Sequence, residues 1–314
     1  MSSTEASPAK RQRTDDAHTN RSDIWKSDGS VVLQAANVQF RVHWSVLAQH
    51  SPVFSDMQGL PQPAEHHSVE GCPVVELFDD PEDVENLLNA LYTPSFHCQD
   101  VLPFPVIRAL VRLGRKYDFK YLFDSAVARI ASELPTTLDE YDTKTALFYK
   151  TIEEYKGLTF DLISLASESG IMTALPIAYY RVLKWGVARL LQGVDKLDGS
   201  VAFLSPLDLS RCVIAREKLL MKQFQPGYSL GWARKWAFDD CTGSTVCSSA
   251  REGVLAKYMD QALMGALLRP SELKGFKFCS ACAKHAHDCI ISGRKKMWAE
   301  LPGVFGLPAW KDLK

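Results

Sequence analysis

The sequence predicts an α+β unit, a short mixed sheet with flanking helices over residues 21–135, followed by a mostly α-helical C-terminal region over 136–314. Three observations predict it. Val38, Phe40 and Val42 alternate with polar residues, the period of a half-buried strand. The apolar spacing then lengthens to three and four at Val84, Leu87, Leu88 and Leu91, one face of a helix. The chain has 314 residues, 46% hydrophobic and 23% charged, which is globular composition and enough length for about two domains.

The elements follow in order. Residues 1–20 are polar, contain no Phe, Tyr or Trp, and are expected to be a disordered tail. Within them Pro8-Ala9-Lys10-Arg11-Gln12-Arg13 is a short basic cluster of the kind read in nuclear import. Val31–Leu33 is an apolar strand, and Ala35-Ala36-Asn37 connects it to the strand Val38–Val42, with Asn37 suited to a left-handed turn. His43, Trp44, Val46 and Leu47 begin a helix. Ser51-Pro52 breaks it and starts another, Ser as N-cap and Pro at the first helical position.

Gly59–Gly71 reads as a Pro- and His-rich loop and Pro73–Phe78 as a strand. Asp79-Asp80-Pro81 starts a helix, with Glu82 and Asp83 at the positive end of its dipole, and Tyr92-Thr93-Pro94 ends it. Pro105–Lys116 and Phe119–Leu134 are further helices. The predicted core of this unit is Phe40, Val42, Leu47, Phe54, Val75, Leu77, Leu87, Leu88, Leu91, Leu110 and Val127. Beyond it, helices are predicted around Leu147–Tyr155 and over Leu158–Ser169, Pro176–Leu191, Pro206–Phe224 and Ser249–Leu268. Five of the seven tryptophans (Trp185, Trp232, Trp236, Trp298, Trp310) fall in this region, which therefore needs a core of its own.

Charge is uneven: −6 over residues 21–135, −3 over 136–210 and +8 over 211–314, with a neutral tail. The basic bias is mild, and Arg294-Lys295-Lys296 is its one dense group, so a solvated surface explains it and nucleic acid is not the expected partner. No apolar run reaches the roughly 18–20 residues that span a bilayer, and the N-terminus lacks the apolar core of a secretory signal. An intracellular location, nuclear or cytoplasmic, is expected, with the eight cysteines in a reducing compartment.

Catalysis finds no motif: no G-x-S-x-G, no phosphate-cradling Gly-rich loop followed by Lys-Ser/Thr, no H-E-x-x-H. Asp79, Asp80 and Asp83 read as helix-start residues. His43 has no evident catalytic partner, and His66-His67 beside Glu65 reads as loop. Cysteine supplies the one constellation. Cys241 and Cys247 are followed by a predicted helix and then by Cys279-Ser280-Ala281-Cys282. Paired cysteines at both ends of a helical segment can converge on one Zn²⁺ as four thiolates. In that case the sulfurs stand about 2.3 Å from the metal and within about 4 Å of one another. His285, His287 and Cys289 are spare candidates. Packed free thiols and redox chemistry are the other readings of these cysteines. Cys72, Cys98 and Cys212 are isolated and read as structural.

Several segments share a resemblance. SDGSVVLQAANVQFRVHWSVLAQHSPVFSDM (27–57) resembles the opening of a BTB/POZ domain. GCPVVELFDDPEDVENLLNALY and FPVIRALVRLGRKYDFKYLFDSAVARI resemble the third strand with its helix and the closing helices of such domains in a large group of basidiomycete fungal proteins. LPGVFGLPAW (301–310) resembles the ending of that group. The likeness covers 21–135 closely and 139–314 loosely. It implies a non-enzymatic module for homo-oligomerisation or partner recruitment, with His43 part of the packed fold. A homodimer is implied, with Ile24 and Trp25 before the first strand as its apolar contact. Two related roles are an adaptor for a cullin-type ubiquitin ligase, although kelch or MATH repeats are missing, and a nuclear, transcription-related regulator.

Overall fold

The structure, a computed structural model, describes residues 19–59, 68–97, 99–143, 149–234 and 240–313. The basic cluster at 8–13, His66-His67, Cys98, Leu147 and Trp236 lie outside the described residues. The chain divides into two units, one formed by residues 1–99 with 105–123 and the other by 100–104 with 124–314.

The first unit is built on a mixed sheet in the order β1-β3-β2-β5-β4. Its strands are β1 (Asn20–Trp25), β2 (Val31–Ala35), β3 (Val38–Val42), β4 (Ser68–Val69) and β5 (Cys72–Leu77). β2 and β3 form the expected antiparallel hairpin, while β1 runs parallel to β3 and β5 parallel to β2. The turn carries its left-handed residue at Ala36 (φ +48°) rather than at Asn37. The hairpin thus places the residue with the steric penalty where Asn or Gly would sit at ease.

Helices α1 (Trp44–His50) and α2 (Pro52–Gln58) follow. Ser51 caps α2 as its sequence predicts: its hydroxyl accepts from the Phe54 N–H at 3.1 Å. The same hydroxyl donates to the Tyr117 carbonyl. α3 (Pro81–Tyr92) is capped by Asp80, which accepts from Glu82 and Asp83 N–H groups at 2.9 and 3.3 Å. A short α4 (Pro94–His97) precedes α5 (Phe104–Lys116) and α6 (Lys120–Glu133).

α5 ends in a tight reversal. Asp118 is left-handed (φ +54°) and the Phe119 N–H bonds the Gly114 carbonyl at 2.8 Å, the pattern of a Schellman cap. Phe40, Val42, Leu47, Phe54, Leu77, Leu87, Leu88 and Leu110 are buried as predicted. Val75, Leu91 and Val127 are only half-buried. Phe78 departs most: β5 stops one residue before it, and its ring is 91% exposed.

The second unit is helical and takes the larger part of α6, from residue 124 on. Its further helices are α7 (Leu138–Thr143), α8 (Leu158–Ser169), α9 (Leu175–Leu183), α10 (Val187–Gln192), α11 (Pro206–Lys222), α12 (Gly231–Arg234), α13 (Ser244–Met259) and α14 (Ser280–Val304). A small hairpin pairs β6 (Val194–Asp195) with β7 (Val201–Ala202).

Three predicted helices are corrected. Tyr149–Tyr155 is not helical: Ile152 bridges Leu102, and the buried Glu133 carboxylate holds the Lys150 and Thr151 N–H groups at 2.8 and 2.5 Å. Those amides serve a side chain instead of a helical ladder. The Pro176–Leu191 helix is two helices, parted at Gly186 (φ +85°), where Trp185 stacks on Phe160 at 5.7 Å. α13 starts earlier than Ser249, at Ser244, and it stops short of Leu268 because Ala262 turns left-handed (φ +46°) and the Leu263 N–H bonds the Tyr258 carbonyl at 3.2 Å.

α14 carries the core of this unit. Ala286 and Ile290 join Val254 and Tyr258 of α13, Trp232 and Ala233 of α12, Phe224, Leu230, Leu268 and Leu273 in one apolar cluster. Gly293 lets the Tyr228–Ser229 backbone reach the helix. A Cβ there would lie 2.4 Å from the Tyr228 carbonyl carbon and 2.5 Å from the Ser229 nitrogen. Beside it Arg294, 3% exposed, pairs with Asp142 through Nη1 (3.0 Å) and Nη2, and Asp142 also takes Arg269 Nε at 3.2 Å.

Candidate functional site

Two places in the molecule answer to the sequence readings: the β1 edge of the first unit and the four cysteines of the second.

Ile24 and Trp25 do not precede the first strand, as expected, but end it: they belong to β1, which lies at one end of the sheet order and is joined to β3 with a register shift between Arg21 and Trp25. Ile24 is 8% exposed, so its side chain belongs to the core of its own unit. Trp25 is half-buried. Its indole N–H reaches Glu70 Oε2 at 3.4 Å, and the Arg21 guanidinium lies 4.5 Å from its ring centroid. Glu70 also pairs with Arg21 at 2.8 Å and with Arg41 at 2.9 Å. Asn20, Arg21 and Asp23 carry the accessible part of the strand.

The acidic helix start divides its labour. Only Asp80 caps. Asp79 accepts from Lys116 Nζ at 2.6 Å and from the Tyr117 hydroxyl at 2.5 Å. Asp83, 3% exposed, takes Arg108 Nε at 2.8 Å, and burial raises its carboxyl above the ordinary value against the pull of that arginine. His43 does have partners, which the sequence did not reveal. Its Nε2 lies 3.0 Å from Asp28 Oδ1, and its backbone N–H donates to the Tyr92 hydroxyl at 2.8 Å. The His43 hydrogen bond holds the Asp28 carboxyl below its usual range.

The cysteines converge. Cys241, Cys247, Cys279 and Cys282 place their sulfurs within 4.8 Å of one another, a wider spread than the about 4 Å expected of four ligands on one zinc. Cys241 stands three residues ahead of α13 and Cys247 in that helix's first turn. Cys279 is the N-cap of α14, and Cys282 lies one turn on. Cys247 and Cys282 are fully buried, Cys241 and Cys279 half-exposed. Backbone donors point at the sulfurs: the Cys279 N–H reaches Cys247 Sγ at 3.2 Å, and the Cys282 N–H reaches Cys279 Sγ at 3.5 Å.

The Cys282 and Thr242 backbone N–H groups hold the Cys279 thiol down at about 5. Burial, with hydrogen bonds from the other cysteines, pushes Cys282 well up. The Cys279 N–H favours a Cys247 thiolate, yet desolvation and neighbouring thiols leave that group above its ordinary value.

The spare candidates stand apart from this group. Cys289 Sγ lies 3.7 Å from His285 Nε2, one helical turn apart, and His287 faces Asp288 at 3.3 Å. Cys72 is buried and donates to the Gly29 carbonyl at 3.1 Å; Cys212 is buried, its thiol pushed up to about 12 by desolvation.

Sequence reasoning missed a cavity of about 670 Å³ lined by Tyr149, Tyr155, Arg181, Lys184, Trp185 and Arg189 among others. Arg181 bonds the Glu133 carbonyl at 3.0 Å and covers the Tyr149 ring, while its Nη1 has no partner among the described residues. The cavity is lined from two stretches, residues 149–159 and 181–197, whose spacing matches no motif.

Residues 26–133 match the BTB/POZ domain family, so this part of the chain is a BTB/POZ domain. It is a protein–protein interaction family, and the small mixed sheet with its helices is the fold the resemblance implied. No curated protein gives a significant match to the chain. Among the described residues no helix is long and apolar enough to cross a membrane.

Proposed function

We propose that the chain is a non-enzymatic interaction protein whose BTB/POZ domain self-associates into a homodimer along β1. One observation carries the reading. β1 is an edge strand, bonded to β3 on one side, and it presents a row of main-chain donors and acceptors on the other. Adding a strand from a second copy satisfies that row. Trp25, half-buried at the end of β1, supplies apolar area there, whereas Ile24 is already committed to its own core. The charged and polar residues Asn20, Arg21 and Asp23 keep a lone edge soluble and give the pairing its register.

Sedimentation velocity of the full chain at tens of micromolar tests this. A dimer is expected, and Trp25→Ala is expected to weaken it about tenfold or more, the scale of a tryptophan at an interface centre. A strictly monomeric wild type overturns the reading.

A second reading, recruitment of a different protein, is favoured by Phe78. A phenylalanine left 91% exposed directly after β5 is apolar area held out of the core. A cullin-type scaffold is one partner of this kind. Calorimetric titration with a cullin N-terminal region supports it if Phe78→Ala abolishes binding, and excludes that scaffold if the wild type gives no heat.

A further inference from the structure

We propose that Cys241, Cys247, Cys279 and Cys282 bind one zinc ion as a closed tetrathiolate centre that seals the open end of the seam between α13 and α14. The inference stands apart from the dimer reading and concerns the second unit alone.

The sulfurs are the first argument. In a tetrahedral site with Zn–S near 2.3 Å, they stand about 3.8 Å apart. Here all four fall within 4.8 Å before any ion draws them together. An inward shift of about 1 Å closes the site, within the reach of side-chain rotation.

The helix ends are the second argument, and an independent one. α13, with 16 residues, and α14, with 25, both begin at the cluster. Each contributes one cysteine just outside its N-terminus and one in its first turn. The positive ends of two helix dipoles and their unpaired N–H groups therefore face one small volume. Two backbone N–H groups, those of Cys279 and Cys282, are directed at sulfur. Neutral thiols gain little from such donors, since sulfur in S–H is a weak acceptor. Metal-bound thiolates carry the charge that the donors and dipoles stabilise.

Packing gives the third argument. Cys247, Ala250, Val254 and Tyr258 form the buried stripe of α13, and Cys282, Ala286 and Ile290 that of α14. The apolar cluster holding Val254, Tyr258, Ala286 and Ile290 includes none of the four cysteines. At the cysteine end the buried residues of the two helices are small, Cys247 and Ala250 in α13 and Cys282 and Ala286 in α14. An ion with four protein ligands fills the role a larger apolar core would play, as in small metal-stapled folds. All four positions are taken by protein sulfur, so the site is structural and leaves no place for a substrate.

Binding is a ligand exchange without redox change. Zn²⁺ replaces the thiol protons, up to four protons leave, and the centre carries a net charge of −2. The half-exposed Cys241 and Cys279 form the entry side.

The test uses the full chain purified from zinc-supplemented cells without chelator. Elemental analysis is expected to give one zinc per chain. Replacement by Co²⁺ is expected to give the intense visible bands of a tetrahedral tetrathiolate. A Cys279→Ser/Cys282→Ser variant is expected to lose the metal. The cobalt spectrum is read on the wild type, so it decides even if that variant does not fold. Well under one zinc per chain, iron in its place, an octahedral cobalt spectrum, full zinc in the double variant, or disulfides among these cysteines in the purified protein each overturn the proposal.

Discussion

Removing one oxygen atom at Ser51 probes how the BTB/POZ domain holds its helices together. The Ser51 hydroxyl is fully buried and has two duties. It accepts from the Phe54 N–H and so starts α2, and it donates to the Tyr117 carbonyl just past the end of α5. Carbonyls at a helix C-terminus have no partner within the helix, and this one is served by a residue 66 positions away. Ser51→Ala deletes the cap, about 1 kcal/mol, and leaves the carbonyl short of a donor, about 1–3 kcal/mol. The expected loss is therefore roughly 2–4 kcal/mol.

Ser51→Asp separates the two duties. A carboxylate still caps, but it cannot donate and it brings charge against the carbonyl, so it is expected to be worse than alanine. Amide hydrogen exchange read on peptides from α2 and α5 measures this domain without averaging over the second unit. A loss below about 1 kcal/mol in the alanine variant, or recovery in the aspartate variant, refutes the reasoning: the cap alone, or neither bond, would then matter.

Three further outcomes follow from the same kind of bookkeeping. Ala36→Gly relieves a left-handed alanine in the β2–β3 turn and is expected to stabilise the first unit by about 0.5–1 kcal/mol, read by exchange on the hairpin. Gly293→Ala forces a Cβ against the Tyr228–Ser229 backbone and is expected to cost about 3 kcal/mol in the second unit, since backbone rather than a flexible side chain must give way. Asp142→Ala leaves Arg294 buried without its carboxylate and is expected to cost about 3 kcal/mol. Burial raises the Asp142 carboxyl, but Arg294 and Arg269 outweigh it and hold the group below its ordinary value. Its contribution is complete above the unfolded carboxylate value, about 4, and is lost as pH falls through the lower folded value. The variant is therefore expected to lack that acid-dependent part of the wild-type profile in denaturant titrations.

What was legible in the sequence was local. Ser51-Pro52 and Asp80-Pro81 marked helix starts because capping needs only neighbours in the chain. The β2–β3 hairpin and the fully buried Leu88 followed from period alone. What failed was decided at a distance. Tyr149–Tyr155 has helical spacing, but Glu133 and Leu102 claim its main chain. Phe78 looks like the last apolar residue of a strand, and nothing nearby says that its ring faces out. Asp79 and Asp83 look like dipole partners until Lys116 and Arg108 arrive from α5. The C-x₂-C pair announced itself through a spacing that suits one metal. That the looser C-x₅-C pair would meet it depended on two helices beginning side by side, which no window of sequence contains.

α14 has a consequence that concerns phase. Its 25 residues make a rod about 37 Å long, with the cysteine cluster at one end and Gly293, Arg294 and Trp298 further along. Each of these positions must face its own neighbour: the cysteines, the Tyr228–Ser229 backbone, Asp142 and the stacked Trp310. One inserted residue turns everything downstream by about 100° and advances it by about 1.5 Å, so the two ends cannot be seated together. Substitutions along the exposed side around His287 and Asp288 leave that phase untouched. The helix therefore acts as a shaft that keys distant parts of the second unit to a single angle, tolerant of changes in its surface and intolerant of changes in its length.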